Sequence, residues 1–86
     1  MMNQIKFFGN ICNHADTNNF SADLTNLSIK QMLVILNTEY NIDQTILDAN
    51  NLLIAINNVE ISVLNNHDTV INVGDEISII SVSHGG

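Results

Sequence analysis

Gly74-Asp75-Glu76-Ile77-Ser78-Ile79-Ile80-Ser81-Val82-Ser83-His84-Gly85-Gly86 is the stretch on which the reading of this chain turns. Gly74-Asp75 reads as a turn, Glu76 to Val82 as an apolar, β-branched strand, and Ser83 to Gly86 as a short polar tail ending in two glycines. Glycine has no Cβ, so a Gly85-Gly86 stalk can take backbone angles closed to other residues and thread a channel too narrow for side chains. A carboxylate carried on such a stalk is a chemical handle that can reach into another protein's active site. A Gly-Gly end alone carries little weight. It gains weight here from the turn and the apolar strand that lead directly into it.

Working outward, composition bounds the possibilities. The chain has 86 residues, 45% hydrophobic and 13% charged, which predicts one folded domain with a modest core rather than disorder. The formal net charge is −7, and Lys6 and Lys30 are the only lysines or arginines. Nucleic-acid binding needs a cluster of such cations to neutralise phosphates, and an anionic membrane surface needs the same, so neither is an expected partner. A basic protein partner suits this charge. Cys12 is the only cysteine, which excludes an intrachain disulfide and a cysteine-held iron–sulfur cluster. His14, His67 and His84 do not fall at metal-ligand spacing with Cys12 or with one another, so no metal site is expected. The opening Met1-Met2-Asn3-Gln4-Ile5-Lys6 has no signal-peptide layout and no apolar run is long enough to span a bilayer, which predicts a soluble cytoplasmic protein.

In chain order, Ile5 to Ile11 predicts a first strand with Ile5, Phe7 and Gly9 on one face and Lys6, Phe8 and Asn10 on the other. One of Phe7 and Phe8 belongs to the core. The other is either covered by neighbours or part of a partner surface. Cys12 to Asn19 reads as a loop, and Phe20 to Leu24 as a strand pairing back on the first. Ser28 with Gln31 makes a capping box for a helix running to Tyr40, Leu27 and Met32 stand at staple positions, and Ile29, Met32, Leu33, Leu36 and Tyr40 form its apolar stripe. After an irregular stretch with a turn near Gln44 to Leu47, Leu52 to Ile56 reads as a buried strand, Asn57-Asn58 as a tight turn, and Val59 to Val63 as a short returning strand. Asp75 and Glu76 read as a solvated acidic turn. The economical solution is α+β, a mixed sheet packed on one side by one main helix, with the last strand parallel to the first. The domain is expected over 1–82 and the Gly-Gly tail over 83–86. Ile80 and Val82 are expected on the sheet face turned away from the helix, where they either contact a partner or pack internally.

With these residues in view, the chain resembles the ubiquitin-like β-grasp sulfur carriers, and most closely the small subunits of molybdopterin synthase. The resemblance rests on Ile5-Lys6-Phe7-Phe8, on Leu53-Ile54-Ala55-Ile56-Asn57, and on Gly74-Asp75-Glu76-Ile77 running to Gly85-Gly86, and it spans nearly the whole chain. An Arg-Glu pair common in the family after the first strand is replaced by Cys12-Asn13, and Pro-Pro before the tail by Ser81-Val82. The end, Ser83-His84-Gly85-Gly86, is similar to that of the related modifier that supplies sulfur for tRNA thiolation.

The resemblance implies a protein-borne co-substrate, not catalytic alone but the sulfur-donating subunit of a transferase. A C-terminal carboxylate with a pKa of about 3.5 is ionised at neutral pH and is a poor electrophile. The family activates it with an ATP-dependent adenylating enzyme, and a sulfur donor converts the acyl-adenylate to a thiocarboxylate. By resemblance Gly86 carries that group, Gly85 and His84 belong to the tail that delivers it, and Ile80, Val82 and Phe8 contact the large subunit. No cofactor is bound and ATP is used by the activating partner. The acceptor implied is the cyclic pterin precursor of the molybdenum cofactor. Sulfur delivery to tRNA or thiamine, a modifier joined to protein lysines, and a plain β-grasp interaction module stay open. Cys12 is a sulfur relay or a small buried or semi-exposed hydrophobe, His84 a phosphate or adenylate contact or an uninvolved ring. No nucleophile–base pair or phosphate-cradling loop is visible, so no independent active site is expected.

Overall fold

The computed structural model describes residues 2–13 and 18–81. The expected tail residues Val82, His84, Gly85 and Gly86, the boundary at 82–83, and His14 lie outside the described residues.

Strand β1, Asn3–Phe8, follows the alternation of its sequence, with Ile5 and Phe7 buried and Phe8 exposed on the opposite face. It stops earlier than the apolar pattern suggests. Gly9 takes φ +84°, and Gly9–Asn13 curls into a 3-10 helix instead of carrying the strand to Ile11. Tertiary contacts decide this. The Ile11 side chain is fully buried and its N–H donates to Ser81 Oγ at 2.8 Å. Strand β2, Asn19–Ala22, returns antiparallel with Phe20 opposite Ile5, closing the expected hairpin.

Helix α1, Ile29–Thr38, starts where its sequence says it should. The Ser28 hydroxyl accepts from the Gln31 N–H at 3.1 Å and Gln31 Oε1 accepts from the Ser28 N–H at 2.9 Å, so two otherwise orphaned donors are satisfied. Ile29, Met32 and Leu36 are buried, whereas Leu33 is only half-buried. Tyr40 lies past the helix end and stacks on Phe20, with ring centroids 4.5 Å apart. The turn at 44–47 is held by N–H bonds from Ile46 and Leu47 to the Asp43 carbonyl.

Strand β3 is Leu52–Ile56 and β4 is Val59–Glu60. Between them Asn57 and Asn58 both have positive φ, 51° and 70°, which is the I′ turn geometry that asparagine tolerates. The returning strand is two residues long because the Glu60 carboxylate accepts from Ser62 N and Ser62 Oγ, each at 2.6 Å, and turns Ile61–Val63 into a 3-10 helix. Strand β5, Glu76–Ser81, closes the sheet. The strand order is β2-β1-β5-β3-β4.

Strands β1 and β5 are parallel, with Ile5 opposite Ile77 and Phe7 opposite Ile79. The connection between them contains α1. Ile77 and Ile79 are fully buried and cluster with Ile5, Ile54 and Ile56 of the sheet and Met32 and Leu36 of the helix. Burial of each such side chain contributes about 1.5–3 kcal/mol. A five-stranded mixed sheet carrying one helix inside a parallel crossover is the α+β, ubiquitin-like β-grasp architecture expected from the sequence. No helix among the described residues is long and apolar enough to cross a membrane.

Candidate functional site

Side chains alternate along a strand, so the sheet has a second face. On it the register places Phe8, Ile80 and Leu53 side by side, one from each of β1, β5 and β3. Phe8 is 47% and Leu53 40% exposed, and Ile80 between them is half-buried. They line an open depression of about 370 Å³ together with Ala55, Glu60 and Ser78. Solvent-exposed apolar side chains in one register row, with polar groups around them, have the composition of a surface that a partner can cover. Ile80 therefore stands where the sequence places it, and Phe8 is the outward phenylalanine of its pair. Leu53 is the residue that sequence reading missed. Strand β3 looked wholly buried, but the alternation of Leu52, Ile54 and Ile56 against Leu53 and Ala55 carries the signal.

The rest of this face is charged sparingly. Lys6 Nζ lies 3.4 Å from Glu76 Oε1. The Glu60 carboxyl is held below the usual glutamate range by hydrogen bonds from the Ser62 hydroxyl and the Ser62 backbone N–H. The acidic turn lies at the solvent-exposed surface, as expected, and it also makes contacts: the Asp75 carboxylate accepts from Asn72 N–H at 2.8 Å and from Asn57 Nδ2 at 2.9 Å, while Asn57 Oδ1 accepts from Glu76 N–H at 2.9 Å. These bonds tie the start of β5 to the β3–β4 turn.

At the other end of β5 the geometry bears on the tail. Ser81 is the last residue of the strand, and its Oγ accepts from Ile11 N–H on one side while Leu52 pairs with it on the other. Residues 82–86 follow, and five residues span at most about 17 Å. Cys12 Sγ donates to the Phe7 carbonyl at 3.2 Å and is half-buried, as a small semi-exposed hydrophobe would be. His67 has a buried Nε2 without a hydrogen-bond partner. Among the described residues no three His, Cys, Asp or Glu side chains gather as a metal site would require.

No protein-family model matches the chain, and no curated protein matches it in sequence. Solved structures do match in fold. SAMP1 from Haloferax volcanii is 13% identical over 100% of both chains, with a TM-score of 0.76. Urm1 from Trypanosoma brucei is 21% identical, with 99% of this chain and 95% of that one covered and a TM-score of 0.79. The complex of subunits 1 and 2 of molybdopterin-converting factor from Helicobacter pylori 26695 contains a chain 26% identical over 100% of both chains, with a TM-score of 0.65. These neighbours share the ubiquitin-like β-grasp fold over the full length of this chain, and they do not single out the converting factor among themselves.

Proposed function

We propose that this protein is a sulfur carrier, the small subunit of a molybdopterin synthase, whose Gly86 becomes a thiocarboxylate. An adenylating enzyme would transfer AMP from ATP to the Gly86 carboxylate with release of pyrophosphate. A sulfur donor then displaces AMP and leaves C(O)–S⁻ on the chain. That sulfur is the nucleophile delivered to the cyclic pterin precursor held by the large subunit. The protein contributes the handle and the docking face, and the partner contributes the acid–base groups.

One observation carries the reading: the sequence continues for only five residues from Ser81 to Gly85-Gly86, and Ser81 directly follows Ile80 of the apolar row Phe8–Ile80–Leu53. The two-subunit assembly named for the Helicobacter pylori neighbour supports a large-subunit partner. Glu60 beside the row suits a partner with a basic rim.

A second reading, delivery of the same sulfur to tRNA, is favoured by the end Ser83-His84-Gly85-Gly86. It changes the acceptor and leaves the carrier chemistry intact. Supplying the thiocarboxylate form in turn to a large subunit with cyclic pterin precursor and to a tRNA thiolation system separates the two. Dithiolene formed only in the first supports the proposal. Thiolated tRNA formed only in the second moves the protein to the other pathway, and activity surviving deletion of Gly86 removes both.

A further inference from the structure

Next to the apolar row, the following register row of the same sheet face runs Lys6–Ser78–Ala55–Glu60 across β1, β5, β3 and β4. Charges stand at its two ends and two of the smallest side chains in its middle. The Lys6 ammonium is engaged elsewhere, 3.4 Å from Glu76 Oε1. Ser78 and Ala55 are too short to fill the space between their neighbours. They floor the open depression of about 370 Å³, with Ile80 and Leu53 at one side and Glu60 at its end.

Glu60 is prepared for a cation. The Ser62 hydroxyl donates to its Oε1 and the Ser62 N–H to its Oε2, each at 2.6 Å. These two bonds fix the plane of the carboxylate and favour its ionised form, holding the carboxyl below the usual glutamate range. Each carboxylate oxygen has two lone-pair sites, so one on each is left after Ser62 is served. Among the described residues no cation pairs with Glu60. Lysine would meet this site as a flexible point charge. Arginine brings an apolar stem and a planar fork of donors that matches an oriented carboxylate at both oxygens.

We infer that the depression is a socket for an arginine side chain of the protein that docks on this face, its stem lying on Ala55 and Ser78 and its guanidinium paired with both oxygens of Glu60. The inference deepens the carrier reading above and rests on it for the docking partner. The net charge of −7 steers a basic surface toward the chain. An exposed ion pair adds little affinity, so the socket acts mainly on the register in which the partner lands.

The test is an NMR titration of the full chain with the N-acetylated, C-amidated tripeptide Val-Arg-Val and with its neutral isostere carrying citrulline, read at the Ala55 methyl and the Glu60 side-chain carboxyl. The expected result is a saturable shift of both signals with the arginine peptide, and about fivefold weaker binding of the citrulline peptide, the scale of one exposed charge pair. Glu60→Gln keeps an acceptor for the Ser62 N–H and removes the charge, so it should bring the arginine peptide down to the citrulline value. Ala55→Leu leaves Glu60 intact and fills the floor, so it should weaken both peptides. Equal binding of the two peptides by the wild type overturns the socket. So do undiminished binding by Glu60→Gln, shifts centred on Asp75 and Glu76 instead, or no saturable shift. An unchanged response of Ala55→Leu, in a protein whose amide spectrum stays native away from β3, also overturns it. The carrier reading is scored separately, by sulfur incorporation at Gly86. Its failure beside a working socket leaves an arginine-binding face that serves a different protein partner.

Discussion

Phe8 and Ile80 stand opposite each other on adjacent parallel strands, both on the sheet face that the helix does not cover. Their partners in the core-facing positions, Phe7 and Ile79, are buried. Two neighbouring residues of like chemistry thus serve opposite surfaces, one holding the fold together and one facing away from the core. Ile80→Asp places a charge on the presented face without entering the core. The variant should fold, with thermal unfolding within a few degrees of wild type, and should bind the large subunit about 30-fold more weakly, the equivalent of about 2 kcal/mol at a central contact. Titration calorimetry checks the affinity, and unchanged binding would remove this face from the interface.

Asn3 is the buried polar residue on which three segments converge. Its amide nitrogen donates to the carbonyls of Asn72 and Asp75, and its oxygen accepts from Leu24 N–H and Thr25 Oγ1. Asn3→Ala strands several of these groups away from water, at about 1–3 kcal/mol each where nothing replaces the bond. A loss of about 3 kcal/mol is expected, a large share of the 5–15 kcal/mol typical of a domain. Urea unfolding measures it, and a loss below about 1 kcal/mol would mean the network is replaced by water.

The helix stripe gives a graded comparison. Leu36 is 1% exposed and sits in the main cluster, whereas Leu33 packs at its margin. Leu36→Ala should cost about 2–5 kcal/mol and Leu33→Ala distinctly less, because a marginal site leaves a smaller cavity. Equal losses in denaturant melts would contradict the placement of the helix.

The Glu60 carboxylate ties β4 to the following 3-10 helix and titrates below its usual value because Ser62 hydrogen-bonds to the ionised form. A lowered folded pKa means the folded state favours the anion. The contribution is complete above the ordinary glutamate range and is lost as pH falls through the depressed value. Ser62→Ala should raise the Glu60 pKa toward that range. A carboxyl-detected NMR titration reads it directly, and no change would assign the shift to another cause.

Most of the fold was legible because the deciding signals are local. Ser28 and Gln31 are three residues apart, Asn57-Asn58 is a self-contained turn, and β3 has the bounds its apolar run predicts. One misreading involves a partner distant in sequence: Ile11 looked like the end of a strand until Ser81, 70 positions away, claimed its N–H. Another is local: the strand expected to reach Val63 ends at Glu60 because its carboxylate bonds Ser62, two positions on. Leu53 looked buried because period-2 alternation is hidden in a run that is apolar throughout. For the candidate site, the outward placement of Phe8 and Ile80 was readable from alternation, and the row Lys6–Ser78–Ala55–Glu60 was not, since it exists only once the four strands are side by side.

The most direct measurement is the intact mass of the protein before and after incubation with ATP, its adenylating enzyme and a sulfur donor. The carrier reading predicts replacement of one oxygen by sulfur, localised to Gly86 by fragmentation and abolished when Gly86 is deleted. An unchanged mass, under conditions in which the same enzyme thiolates another carrier, would contradict it and leave a β-grasp binding module with an apolar docking face.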